Sequence, residues 1–327
     1  MPCLASAGSP MKGAVNMLRY IVKRVLLLIP VILGTSALVF FIMALAPGDP
    51  ATAILGADAE PEAIEYLQEE LGLNDPEIVQ YGRYMWDLIH GDLGESYLTG
   101  KPVLEEYFSR FPATFKLTLW SMVVALIISI PIGVISAVKQ YSLIDNVGMV
   151  AALAGLSIPN FWLGLMLIMV FSLNLGLLPS GGATAPGAVI LPAITIGTGM
   201  TATITRMTRS SMLETVRQDY IRTARAKGVS RRKVITKHAL RNAMIPIVTV
   251  VCMNFGYCLA GAATTEVVFS WPGIGRLTID AINSQDRPLA IGCLIMTAIM
   301  ISICNVVMDI LYSIIDPRIR LSGGGKK

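Results

Sequence analysis

The side chains of most distinct chemical character in this chain are bases. Between Arg206 and Arg241 stand eleven Lys or Arg against two acids, Glu214 and Asp219. Long uncharged stretches flank that segment, and Lys and Arg gather in the short cytoplasmic loops of membrane proteins, so it should lie at an inner membrane surface and present itself to a partner. Other chemistry is sparse. The two histidines, His90 and His238, are expected on opposite sides of the membrane and offer no Ser-His constellation. The cysteines Cys3, Cys252, Cys258, Cys293 and Cys304 show no Cys-x-x-Cys spacing, so neither a zinc site nor a disulfide framework is implied. Gly94 to Lys101 approximates a phosphate loop, but its spacing is one residue too long and Pro102 stands where Ser or Thr is required. No metal and no cofactor are expected on this chain.

The elements that must carry the basic segment follow from composition. Hydrophobic residues make up 54% of 327 and charged residues 15%, too little polar surface to solvate a globule of this size. A bilayer core needs roughly 20 apolar helical residues per crossing. Val25–Ala46, Leu117–Val138, Asn242–Thr265 and Pro288–Met308 are free of Asp, Glu, Lys and Arg, and each suits one crossing. Asn146–Thr205 is also uncharged but too long for one helix; Leu178-Pro179-Ser180-Gly181-Gly182 divides it into two. Six transmembrane helices result. Ala44-Leu45-Ala46 has the form of a signal cleavage site, yet the apolar stretch before it is too long for a signal peptide, so the first helix should be retained.

Charge sets the topology. Arg19, Lys23 and Arg24 place the start of the first helix inside; Asp49–Lys116, with fourteen acids and four bases, then falls outside. Lys139, the Arg206–Arg241 segment, and Arg318 with Arg320 return inside, so both termini are expected in the cytoplasm of a multi-pass protein of the cell membrane. In the outer segment, Pro61–Leu71 reads as a short helix stopped by Gly72. A second should run from Glu77 to Ile89, with Ile78, Tyr81, Met85 and Leu88 or Ile89 on one face. This segment is either a solvated cap or a docking surface for a soluble partner.

In the basic loop, Met212–Lys227 reads as a helix ended by Gly228, and Ser230 caps a second that runs to about Asn242. Ala224, Gly228, Val229, Ser230 and Val234 fall at the spacing of a DNA-binding helix-turn-helix. Tethering to the membrane at both ends argues against nucleic acid. Energy for any transport must enter from another polypeptide, because the crossings hold no interior ionisable group for ion coupling and the chain has no internal repeat of the kind secondary carriers show.

Asp219-Tyr220-Ile221-Arg222-Thr223-Ala224-Arg225-Ala226-Lys227-Gly228, followed by His238-Ala239-Leu240-Arg241-Asn242-Ala243, resembles the coupling loop of ATP-binding-cassette importer permeases of the peptide branch. Arg222 stands where the wider family has Glu, and Arg241 where many members have Pro. Met17–Arg24, Pro47-Gly48-Asp49-Pro50, Gly91-Asp92-Leu93-Gly94, Arg110-Phe111-Pro112-Ala113-Thr114, Phe269–Arg276 and Asp316-Pro317-Arg318 extend the likeness from Met17 to Arg320. The chain is similar to the first of the two permease subunits of dipeptide, oligopeptide and nickel importers.

The resemblance implies an all-α membrane protein: a permease domain over 18–321, an external segment over 47–116, a cytoplasmic coupling loop over 206–241 between helices four and five, a disordered extension over 1–17 and a tail over 322–327. It implies as partners a second homologous permease, two ATPases that hold ATP and Mg, and an extracytoplasmic solute-binding protein, all at a lipid bilayer. Asp219, Arg222, Thr223, Ala224, Arg225, Lys227, Gly228, His238 and Leu240 are the expected coupling residues. Trp271, Pro272, Gly273 and Arg276 form a tight outer turn or a contact with the binding protein. Pro159 should break the third crossing, and Ser157, Pro159 and Asn160 then line a translocation path or form a packed kink. Asn254, Tyr257 and Gly261 face the path or bond between helices. The cargo stays open among dipeptide, longer peptide, glutathione and chelated nickel. A self-sufficient channel or carrier is the alternative of another class.

Overall fold

The computed structural model describes residues 10–45, 48–56 and 58–315, with side-chain surroundings for all of these except 10–25, 260–261 and 308–315. Pro47, the Asp316-Pro317-Arg318 motif, Arg320 and the 322–327 tail lie outside the described residues, as do the side chains of Arg19, Lys23 and Arg24. Among the described residues the chain is helical, with one isolated bridge between Glu95 and Pro102.

Helix α1 spans Pro10–Leu45. Its described part takes in residues 10–17, ahead of the first uncharged run. Three short helices follow outside it, α2 Pro50–Leu55, α3 Pro61–Glu70 and α4 Glu77–Ile89. Asp49 caps α2 by accepting from Thr52 N at 3.0 Å. The inward face of α4 differs from expectation. Tyr81, Tyr84 and Leu88 pack with Phe40 and Phe41 of α1, and Met85 Sδ accepts from Ser36 Oγ at 3.5 Å, whereas Ile78 and Ile89 point outward.

Helix α5 spans Val103–Val138, so the second crossing begins well outside the uncharged run. Its first turn carries Glu105 and Glu106, the charge a helix N-terminus favours, and Pro102 precedes it. Then come α6 Leu143–Ser157 and α7 Asn160–Leu167, the latter prolonged by a π-helical stretch Ile168–Asn174. After a loop, α8 spans Ile190–Val216. The basic loop holds α9 Asp219–Ala226 and α10 Arg231–Lys233; a π-helical stretch Val234–Ala239 joins α10 to α11 Leu240–Gly261. Two short helices, α12 Ala263–Val268 and α13 Ile274–Asn283, lead to α14 Arg287–Ile315.

Among the described residues, Leu26–Leu45, Val103–Val138, Arg231–Leu259 and Arg287–Val307 are long and apolar enough to cross a bilayer, and the α6–α7 pair, bent by 99°, makes up to five. Helix α8 falls short in apolarity because its inward face is built from small and hydroxyl-bearing residues: Gly197, Thr201, Thr205, Thr208 and Ser211. That face lies against α5. A Cβ added at Gly133 of α5 would stand 2.6 Å from Thr208 Cβ and 2.9 Å from Thr205 O; one at Gly197 of α8 would stand 2.8 Å from Ser121 O.

Two cores result. One joins α5, α8, α11 and the basic loop through Leu117, Ile204, Met212, Ile221, Val234 and Ile247. The other joins α1, α4, the start of α5, α13 and α14, through Phe40, Tyr107, Ile274 and Ile291.

Replacing Gly133 by Leu forces apart two helices already in contact, at an overpacking cost of about 1–3 kcal/mol. Gly133→Leu should lower the unfolding temperature of the detergent-solubilised protein. Gly34→Ala should not, since an added Cβ there meets nothing within 4 Å. Equal melting curves for the two variants would refute the close-contact account.

Candidate functional site

The basic loop is held to the bundle by Ile221 on α9 and by Val234 and Ala239 in the π-helical stretch that follows α10. Gln218, extended at ψ 148°, turns the chain out of α8, so the expected Met212–Lys227 helix is two pieces: the end of α8, then α9. Ile221 of α9 is fully buried and packs with Val234 and Ala239 of the following π-helical stretch. Asn242 Nδ2 donates to Tyr220 Oη at 2.8 Å and fastens α9 to the foot of α11.

Helix α9 ends in a Schellman motif. Gly228 takes φ +77°, its N–H donates to Arg225 O at 3.0 Å, and Val229 N–H donates to Ala224 O at 3.2 Å. Gly serves here because a Cβ is costly at positive φ. Ser230 occupies the next cap position without a side-chain bond, and the second helix does not stop at Asn242 but runs on into the membrane span.

Asp219, Arg222, Thr223, Arg225, Lys227 and Gly228 are exposed along one side of this unit, whereas Ala224, His238 and Leu240 sit half-buried behind them. Arg231, Arg232, Lys233, Lys237 and Arg241 widen the exposed positive surface. Asp219 in the first turn and Arg225 in the last both suit the helix dipole.

At the opposite end lies a clamp that sequence patterns did not reveal. Glu266 of α12 is wholly buried. Ile274 N–H donates to Thr114 Oγ1 at 2.8 Å, and Thr114 Oγ1 donates in turn to Glu266 Oε1 at 2.6 Å. Arg276 N–H donates to Glu266 Oε2 at 3.0 Å, so the carboxylate caps the start of α13 while gripping α5. Burial pushes the Glu266 carboxyl above its usual range, against the lowering by Thr114 and by the Arg276 and Gly275 N–H groups.

Trp271 is also buried, and its Nε1–H donates to Ala113 O at 2.9 Å. A Cβ at Gly273 would land on the Glu266 carboxylate. Trp271 and Gly273 are therefore structural parts of the turn, whereas Pro272 and Arg276 stay partly open. Arg276 lies within 3.4 Å of Asp280.

Ser157, Pro159 and Asn160 are exposed at the α6–α7 bend, with Pro159 as the cap residue of α7 and the Asn160 side chain against Gly199 of α8. On α11, Asn254 Nδ2 bonds back to Val250 O at 2.8 Å within its own helix, and Tyr257 is 80% exposed. The surroundings of Gly261 lie outside the described residues. The path candidates thus occupy two separate elements. Among the described residues no group of three or more His, Cys, Asp or Glu converges as a metal site would require.

Two family models cover most of the chain. The binding-protein-dependent transport system inner membrane component matches residues 129–321, and the N-terminal part of the corresponding membrane component matches 17–118. A dipeptide transport system permease protein of Alkalihalophilus pseudofirmus is 46% identical over 93% of this chain and 100% of its own length. The chain belongs to the binding-protein-dependent transport family.

Further members are similar over the same span: the dipeptide transport system permease protein of Escherichia coli K12 at 43%, and the glutathione transport system permease protein of Salmonella paratyphi A at 42%, each covering 93% of this chain and 99% of the relative. The fold is shared with the methionine ABC transporter MetNI in an inward-facing conformation, at TM-score 0.56 and 17% identity over 64% of this chain and 96% of that one. In this binding-protein-dependent transport member, the Glu266 clamp ties the two matched regions together. Thr114 belongs to one, Glu266 and Trp271 to the other.

Thr114→Val leaves the Glu266 carboxylate and the Ile274 N–H each short of a partner, at a cost of about 1–3 kcal/mol. Thr201→Val removes a comparably buried hydroxyl that only bonds back to Gly197 O at 2.8 Å in its own helix. The first variant should unfold at a distinctly lower temperature than the second. A reversed order would show that Glu266 does not hold the clamp.

Proposed function

We propose that this chain is the membrane permease subunit of an ATP-driven importer for small peptides, paired with a second homologous permease, powered by two separate ATPase subunits and fed by an extracytoplasmic binding protein. The observation that carries the reading is the exposed, basic, Schellman-ended helix α9, anchored from behind by Ile221 and set by one short turn on each side between α8 and the helix that continues into α11. An ATPase that grips its outer side would move α8 and α11 together. Coupling then rests on Asp219, Arg222, Thr223, Ala224, Arg225, Lys227 and Gly228, with His238 and Leu240 as the backing. This chain does no covalent chemistry of its own.

The full reading has six crossings. Helix α8 serves as the fourth, its hydroxyl-rich face shielded from lipid by α5, and the α6–α7 pair as the third. Both termini are then cytoplasmic, and α2, α3 and α4 lie outside. Peptide cargo is supported by the dipeptide and glutathione permeases among the relatives, and glutathione is itself a small peptide. Chelated nickel is the remaining alternative carried by the sequence resemblance. Pro272 and Arg276, the open members of the outer turn, are the residues of that motif placed to meet a binding protein.

A cysteine introduced at Glu69 should react with a membrane-impermeant maleimide in intact cells, and one at Ser230 should react only after the membrane is opened. The opposite pattern would overturn this topology. Gly228→Glu places a Cβ at φ +77° at a cost of roughly 1 kcal/mol or more, which should tilt α9 without disturbing membrane insertion. Uptake per ATP hydrolysed, or retention of the ATPases on purification, should fall. Normal uptake with fully associated ATPases would remove α9 from the coupling role.

A further inference from the structure

The one buried ion pair among the described residues lies where the basic loop meets the membrane. Asp145, in the first turn of α6, has a side chain only 2% exposed. Arg209 stands on α8, about two turns before its cytoplasmic end. The guanidinium grips the carboxylate with both prongs, Nε to Oδ1 and Nη2 to Oδ2, each at 2.7 Å. Asp145 Oδ2 also accepts from Tyr141 N at 2.9 Å and so holds the α5–α6 turn, where Tyr141 takes φ +63°. A second tie joins the same places: Arg217 Nη2, just past α8, donates to Gln140 Oε1 at 3.3 Å.

The surrounding packing leaves little slack. Gly133 of α5 abuts Thr208 of α8, a Cβ at Gly148 of α6 would stand 3.2 Å from Ile132 Cγ2, and one at Gly155 would stand 3.0 Å from Thr198 Cγ2. Helix α6 is thus fixed to α8 at its foot by a rigid polar joint and higher up by a close steric contact, just before the bend at Ser157 and Pro159.

A buried pair of this kind is a poor device for stability, because the cost of taking both charges out of water offsets most of their attraction. What a two-pronged Arg–carboxylate contact supplies is fixed geometry. We propose that Asp145 and Arg209 are positioning residues that transmit movement of the coupling helix α9, through α8, to α6 and its bend, so that the loop drives the broken span as well as the straight ones. The inference rests on the coupling role assigned to α9 above. It adds a named joint through which the load passes.

The test uses the whole complex, with partner permease and ATPases, in nanodiscs on a cysteine-free background. Spin labels at Ser230 on the loop and at Ser157 by the bend are each paired with one at Glu69 outside, and distances are compared without nucleotide and with ATP plus vanadate. In the otherwise unaltered chain both distances should shift on nucleotide binding. In Asp145→Leu/Arg209→Met, which removes both charges and orphans neither, the Ser230 shift should persist while the Ser157 shift falls to less than half. Arg209→Lys keeps the charge but loses the fork, and serves as the second variant should the double one fail to insert; its Ser157 shift should also fall.

An unaltered Ser157 shift in these variants would overturn the joint. So would a Ser157 distance in the parent complex that ignores nucleotide. Loss of the Ser230 shift in the parent complex would instead count against the coupling role of α9, and this separates the two failures.

Discussion

Inside a bilayer the hydrophobic effect cannot hold one apolar helix to another, since lipid tails are as apolar as Leu, so the pairing of α5 with α8 has to come from close backbone approach. Gly133 and Gly197 make that approach possible, one from each helix, at opposite ends of the shared seam. Everything else is placed relative to it. Helix α11 completes the core through Ile247 against the same pair, and α9 reaches that core through Ile221. A side chain at either glycine would therefore displace both the seam and the loop that hangs from it.

The seam has a polar fastening beyond each end. At one end, Thr114 of α5 hands a hydrogen bond from the α13 backbone to the buried Glu266 carboxylate, and Trp271 closes on Ala113. At the other, Asp145 and Arg209 join α6 to α8. A charge costs several kcal/mol even when partly relaxed in an interior, so these groups persist because each is met by specific donors or by an opposite charge. The uncharged interior and the satisfied ends form one arrangement: apolar helices packed closely along their length, with charge confined to specific polar joints near the ends.

The sequence made legible whatever depends on local pattern. Uncharged runs located the spans Leu26–Leu45 and Arg287–Val307 closely, whereas α5 starts well before Leu117; Pro61 and Glu77 marked the starts of α3 and α4, and the Gly228 turn was predictable because a helix that must end in the left-handed region asks for Gly. Partners distant in sequence stayed hidden. Glu266 follows directly on the uncharged run ending at Thr265 and reads as an ordinary solvent-facing acid; only the fold brings Thr114 to it. Arg209 was one of eleven bases, and nothing in its neighbourhood distinguishes it from Arg206 or Arg217. The sequence leaves Trp271 between a tight turn and a contact surface; only the fold shows its indole buried, with Nε1–H donating to Ala113 O. The inward face of α4 was misjudged at Ile78 for a similar reason, because Tyr81 and Tyr84 reach α1 and Phe40 while Ile78 lies a turn too far out.

The α6–α7 bend exposes polar backbone without any charged side chain beside it in sequence. Pro159 contributes no N–H, and the extended Ile158 and Pro159 end α6 abruptly, so the last carbonyls of that helix lose their usual partners. At membrane depth such groups are tolerated only against protein or water, and the exposed Ser157 and Asn160 stand beside them. Carbonyls, a hydroxyl and an amide together can bond to a peptide backbone of any side-chain charge, whereas a fixed charge would favour cargo of one sign and hold it. A neutral bend therefore favours no sign of charge in a peptide that meets it.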